Sequence, residues 1–208
     1  MLPAHFGTSD RLISPMEIQH IQAKVILQDP AAVELERLVP IFHRWIQEQA
    51  REELLIDVAD YRHVPAGPGV ILIGHEANYS VDNAENRLGV RYNRKAPLAG
   101  TNVNRLAQAT RAALTACKAL ESDPALEGKL RFNGQEIEIS VNDRMLAPNN
   151  DVTRETLQAE IQSFCRKLFA ASEFALTFAN GDARRLFSVS AKSAQHFTTD
   201  QLIAHLAK

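Results

Sequence analysis

Apolar residues recur along this chain at two spacings, every second position and every third or fourth, and the changes between them predict its elements. "IQAKVILQ", 21–28, reads as a strand. "DPAAVELERLVPIFHRWIQEQA", 29–50, then places Leu35, Leu38, Val39, Phe42 and Ile46 at helical spacing. Asp29 is its expected N-cap and Pro30 its first helical residue. Pro40 falls inside the pattern, so the helix is expected to kink there or to form two short pieces. "ELLIDVADYRHV", 53–64, reads as a second strand, and Pro65–Gly69 turns it back into "VPAGPGVILIGHEANYSVD", 64–82. "NRLGVRYNRK", 86–95, alternates Leu88, Val90 and Tyr92, as a half-buried strand does. From about Thr101 to Leu120 a helix is expected, its stripe formed by Val103, Leu106, Thr110, Ala113, Leu114, Cys117 and Leu120.

"KLRFNGQEIEISVN", 129–142, carries a strong turn signal at Asn133-Gly134, which predicts a two-residue hairpin with Arg131 facing Glu136 and Lys129 facing Glu138. A helix follows at about 151–170 with Leu157, Ile161, Phe164, Cys165, Leu168 and Phe169 inward. A further hairpin is expected over 174–191, then a last helix opened by Thr198 and Gln201 at capping-box spacing. The order is β-α-β followed by successive strand–strand–helix units recurring at about 49 residues. Both a true duplication and a recurring architecture fit that period. The expected class is α+β: an antiparallel-dominated sheet with helices mainly on one face. Residues 1–15 are expected to be a loose tail and 16–208 one domain, with a subdomain split near Asp123-Pro124 as the alternative.

The chemistry of interest centres on "GHE", 74–76. On a straight strand from 70 to 82, His75 shares a face with Ile71, Ile73, Ala77, Tyr79 and Val81, while Glu76 points the other way toward Arg91 or Asn93. Pairing Val64 with Val70 sets Ala59 opposite His75 and Asp57 diagonal to it, with Tyr61, His63 and Tyr79 near. Asp57, His63, His75 and Tyr79 are therefore the candidate catalytic residues. An Asp57–His75 pair has the composition of a general base or a metal-holding dyad. The competing reading is a core histidine satisfied by a carboxylate. His43, His63, His75, Asp57 and Asp60 show no HExxH or other fixed ligand spacing, so no metal and no cofactor is expected.

A second candidate is "VRYNRKAPLAGTNVNR", 90–105. Arg91, Arg94 and Lys95 precede a glycine-containing loop that enters a helix at Thr101, where backbone N–H groups and the helix dipole favour an anion. The alternative is solvated loop charge, with Arg91 paired to Glu76. Arg144 and Lys192 sit two residues past their own strand ends, as Lys95 does. There is no phosphate loop, no GxGxxG and no GxSxG. Cys117 and Cys165 lie on apolar helix stripes and read as buried thiols.

Composition narrows the field. A net charge of −2 disfavours a general nucleic-acid binder. No apolar run reaches the roughly 18 residues needed to span a bilayer. "MLPAHFGTSDRLISP" lacks the basic start and apolar core of a secretory signal. The expected setting is cytoplasmic. "VPIFHRWIQ…LLIDVADYRHVPAGPGVILIGHE", about 39–76, resembles a group of uncharacterised bacterial proteins; the resemblance implies a bacterial origin and transfers no activity or site. The leading expectation is a non-catalytic binding protein, a homodimer, taking a small anionic ligand or a protein partner. Its alternative is an enzyme built on Asp57–His75, with or without a metal.

Overall fold

The computed structural model describes residues 16–179 and 181–207. The expected N-terminal tail, 1–15, lies outside them, as does Asn180 within the last hairpin. Eight strands form one antiparallel sheet: β1 (Ile21–Leu27), β2 (Leu55–Tyr61), β3 (Gly69–Gly74), β4 (Ala77–Asp82), β5 (Gly89–Arg94), β6 (Phe132–Val141), β7 (Phe174–Phe178) and β8 (Phe187–Ser193). Their spatial order is β2-β3-β4-β5-β1-β6-β8-β7, every neighbouring pair antiparallel. With helices α1 (Leu38–Glu48), α2 (Asn102–Glu121), α3 (Asp151–Leu168) and α4 (Thr199–Ala207) the class is α+β. Among the described residues, no helix is long and apolar enough to cross a membrane.

Alternation assigns the faces. Ile137, Ile139 and Val141 of β6 and Phe187, Val189 and Ala191 of β8 are buried, while Glu138, Ser140, Ser188 and Ser190 between them are half-buried. The buried set faces the helices: α2 crosses β1 and β5, α1 lies on β2 and β3, and α4 lies on β6. β1 is central and buried throughout. Ala23 and Val25 stand opposite Tyr92 and Val90 on its helix side, and Gln22 and Lys24 occupy the other. Cys117 and Cys165 are buried free thiols.

Local chemistry explains where elements begin and end. Asp29 accepts the Ala31 N–H, but the turn it caps is a single 3-10 turn, Pro30–Ala32. The α-helix starts at Leu38, so Pro40 sits in its first turn, where the missing N–H forfeits no helical bond. Leu38, Ile41, Phe42 and Trp45 are its buried stripe. The capping box forms as expected: Gln201 N–H donates to Thr198 Oγ1, and Thr198 N–H donates to Gln201 Oε1 at 2.9 Å. The strand–strand–helix order holds for β4-β5-α2 and β7-β8-α4.

Two turn assignments are corrected. The stretch 70–82 is not one strand: it folds back at His75-Glu76, which connect β3 to β4, with Leu72 opposite Tyr79. Turn competence at Asn133-Gly134 is real but is spent inside a strand. The Asn133 side chain accepts the Gln135 N–H at 2.9 Å, and β6 bulges against β1 between Phe132 and Ile137 without reversing. Glu136 and Glu138 consequently pair with Arg87 rather than with Arg131 and Lys129. Gly134 is required by close approach: a Cβ there would overlap the Phe197 carbonyl oxygen. Gly134→Ala should therefore cost about 1–3 kcal/mol through overpacking, lowering Tm by roughly 2–12 °C. A Tm unchanged by that substitution, read by calorimetry, would contradict this packing.

Candidate functional site

The residues first marked for catalysis do not converge. The β2–β3 pairing sets Asp57 opposite Ile73 and Ala59 opposite Ile71, because Arg62–Pro68 forms the turn and leaves less chain to pair. Asp57 is exposed and accepts the N–H of Val58. His75 is 71% exposed at the β3–β4 turn, its Nδ1 3.3 Å from Glu76. His63 is exposed and stacks on Tyr61. Only Tyr79 points into the protein. Among the described residues, no three His, Cys, Asp or Glu side chains come together as a metal site.

The anion candidates also separate. Arg94 donates to the Ala96 carbonyl and Lys95 to the Gly74 carbonyl. Thr101 caps α2 by accepting the Asn104 N–H. Arg91 pairs with Asp82 rather than Glu76 and reaches a cleft of about 530 Å³ on the open face of the sheet. Lys24, which lines it, forms an ion pair of 2.7 Å with Asp82, each 2% exposed. Burial pushes the Lys24 ammonium below its ordinary range, and the Asp82 carboxylate opposes the shift. Arg91 Nε lies 3.0 Å from the other Asp82 oxygen, in charge contact without hydrogen-bond geometry. Around them Arg87 bridges Glu136 and Glu138, Arg184 holds Asp182, and Arg185 meets Glu85. Each cation of this cleft already has a carboxylate.

The opposite face of the sheet holds a different arrangement. Tyr79 on β4 and Tyr92 on β5 are cross-strand partners on the helix side, their rings edge-to-face at 5.1 Å. Two phenol hydroxyls taken into a core require acceptors. Glu53, 5% exposed, supplies both: Tyr79 donates to Oε2 and Tyr92 to Oε1, each at 2.7 Å. Glu53 belongs to the connector from α1 to β2, which starts where Gln49 turns left-handed (φ 46°) and ends the helix. From α2, the Gln108 amide nitrogen donates to the Tyr92 oxygen at 3.1 Å.

The same connector carries Arg51. Its guanidinium lies 3.7 Å over the Trp45 ring, and Nη1 donates to the Ala50 carbonyl. Nε and Nη2 are buried and have no hydrogen-bond partner among the described residues, and the same holds for Gln108 Oε1. Burial lowers the guanidinium's proton affinity, opposed by Glu53 and Tyr79. Arg51, Glu52, Glu53 and Tyr79 line a cleft of about 350 Å³ together with Gln108, Arg111, Ala112 and Thr115, a single stripe of α2. Sequence reasoning found Tyr79 but missed Arg51, Glu53 and Gln108. The signal available for Glu53 was the pair of inward tyrosines needing an acceptor.

No protein-family model, curated protein or solved structure matches this chain.

Burial holds the Tyr92 hydroxyl up to about 12 against the lowering donors Arg94 and Gln108, and it lifts Tyr79 well above the tyrosine range. Groups with raised native pKa stabilise fully below their unfolded value, about 10 for tyrosine. Between about pH 10 and 12 the unfolded chain gives up protons that the native state keeps, so stability falls as pH rises. The buried thiols, raised likewise, act in the same sense from lower pH. Relative to wild type, the Tyr79→Phe/Tyr92→Phe variant should be about 1–3 kcal/mol or more less stable at pH 8, because Glu53 loses both donors. It should also lose less stability between pH 10 and 12. Urea unfolding at each pH measures both, and equal alkaline losses would refute the buried cluster.

Proposed function

We propose that this chain is a binding protein for a small carboxylate-bearing molecule, held in the cleft between the α1–β2 connector and α2. The observation that carries the reading is the unmated side of Arg51. Nε–H and Nη2–H together form the side of a guanidinium that grips a carboxylate through two parallel bonds. Leaving charged donors buried and unpaired costs free energy that a bound carboxylate would recover. Trp45 keeps the guanidinium plane in place, and exposed Arg111 adds a second cation at the rim. The open-face cleft is larger, but an anion there would have to displace carboxylates already in place. Since the Arg51 fork is closed off from solvent, ligand entry involves a shift of the 49–53 connector.

Binding rather than catalysis is favoured by Glu53. Both of its oxygens are engaged by phenol donors, so its hydrogen-bonding capacity is committed to holding the connector.

Calorimetric titration with succinate and benzoate, against uncharged succinamide and benzamide, tests the reading. The carboxylates should bind with Kd of about 1 mM or tighter and the amides more weakly. Arg51→Lys, which keeps the charge but not the fork, should weaken carboxylate binding about 10- to 100-fold. Binding untouched by Arg51→Lys, or no carboxylate binding by protein whose circular dichroism shows it folded, would overturn the proposal.

A further inference from the structure

We infer that the molecule bound in this cleft is a zwitterion, a free α-amino acid; the inference rests on the carboxylate reading above and adds the second half of the ligand. A carboxylate can only accept, so the Tyr92 proton is directed to Glu53 at 2.7 Å, and the Tyr92 oxygen is left as an acceptor. The Gln108 group 3.1 Å from that oxygen must then be its NH₂. The amide orientation is fixed by the network, and Oε1 is forced away from Tyr92 without a partner among the described residues.

The residues lining the cleft thus hold two unmet demands of opposite kind, both on atoms that stay enclosed until the connector shifts. Arg51 Nε and Nη2 require an acceptor, and Gln108 Oε1 requires a donor. A simple carboxylate answers the first alone. An α-amino acid answers both, its carboxylate on the guanidinium and its ammonium on the amide oxygen. The charges of the lining agree: Arg51 and Arg111 are balanced by Glu52 and Glu53. A lining of equal and opposite charge suits a ligand that is itself neutral overall with separated poles. A volume of about 350 Å³ is in the range of small-metabolite pockets.

The test compares matched pairs that differ by the amino group: L-aspartate against succinate, and L-phenylalanine against 3-phenylpropionate, each titrated by calorimetry. In at least one pair the amino acid should bind about tenfold or more tightly. Gln108→Leu should bring that ratio to about one. Gln108→Glu, which places a full negative charge opposite the ammonium, should preserve or increase it, so the inference stays testable if the leucine variant does not fold. A ratio near one in wild type for both pairs, or a preference that survives Gln108→Leu, would overturn the zwitterion while leaving the carboxylate site standing. Failure of all four compounds to bind folded protein would remove the carboxylate reading, and the zwitterion with it.

Discussion

Two tyrosine hydroxyls brought into a sheet–helix interface must find an acceptor, and here both find Glu53. Everything near the cleft follows from that shared carboxylate. Tyr79 and Tyr92 sit side by side because β4 and β5 pair in register with both rings inward. Glu53 is drawn down to them from a connector whose neighbours Glu52 and Leu54 are exposed. In that position the connector sets Arg51 over the Trp45 ring and brings it to the stripe of α2 that carries Gln108. A net hydrogen bond to a charged group contributes about 1.5–3 kcal/mol, so two of them offset a substantial part of the freedom lost in ordering the connector.

The two faces of the sheet solve the problem of buried charge differently. On the open face, Lys24 and Asp82 are almost fully enclosed, and each charged side chain around the cleft has an opposite neighbour. Breaking one such contact would strand its partner, which makes that face a poor place for a ligand to compete. On the helix side the carboxylate is satisfied by neutral hydroxyls instead of by a cation. Arg51 is therefore left with its charge unmatched by a bonded carboxylate, and the difference between the faces locates the proposed site.

Much of the architecture was legible in the sequence because periodicity reports burial directly. The helices near 101–120 and 151–170, the strand pair of 174–191, the capping box and the buried cysteines all follow from residue spacing. The errors came at turns. His75-Glu76 looks like strand interior because 70–73 is apolar throughout and Ala77, Tyr79 and Val81 continue the odd-numbered apolar face beyond it. Asn133-Gly134 has hairpin chemistry, but the direction of a turn depends on what the following residues pair with. Ile137–Val141 had β1 and β8 available. Arg51 and Glu53 were illegible for another reason: "AREELL" has the composition of a solvated connector, and nothing local distinguishes a buried glutamate from an exposed one. Only the demand of two tyrosines from distant strands pulls it inward.

If the shared carboxylate holds the connector, weakening it must loosen that segment before the rest of the fold. Hydrogen–deuterium exchange of wild type and the Tyr79→Phe/Tyr92→Phe variant measures this most directly. Amides in 49–55 should exchange markedly faster in the variant, with protection in β6 and β8 retained. Unchanged exchange in the connector, or a uniform rise across every strand, would show that Glu53 does not hold this segment in place.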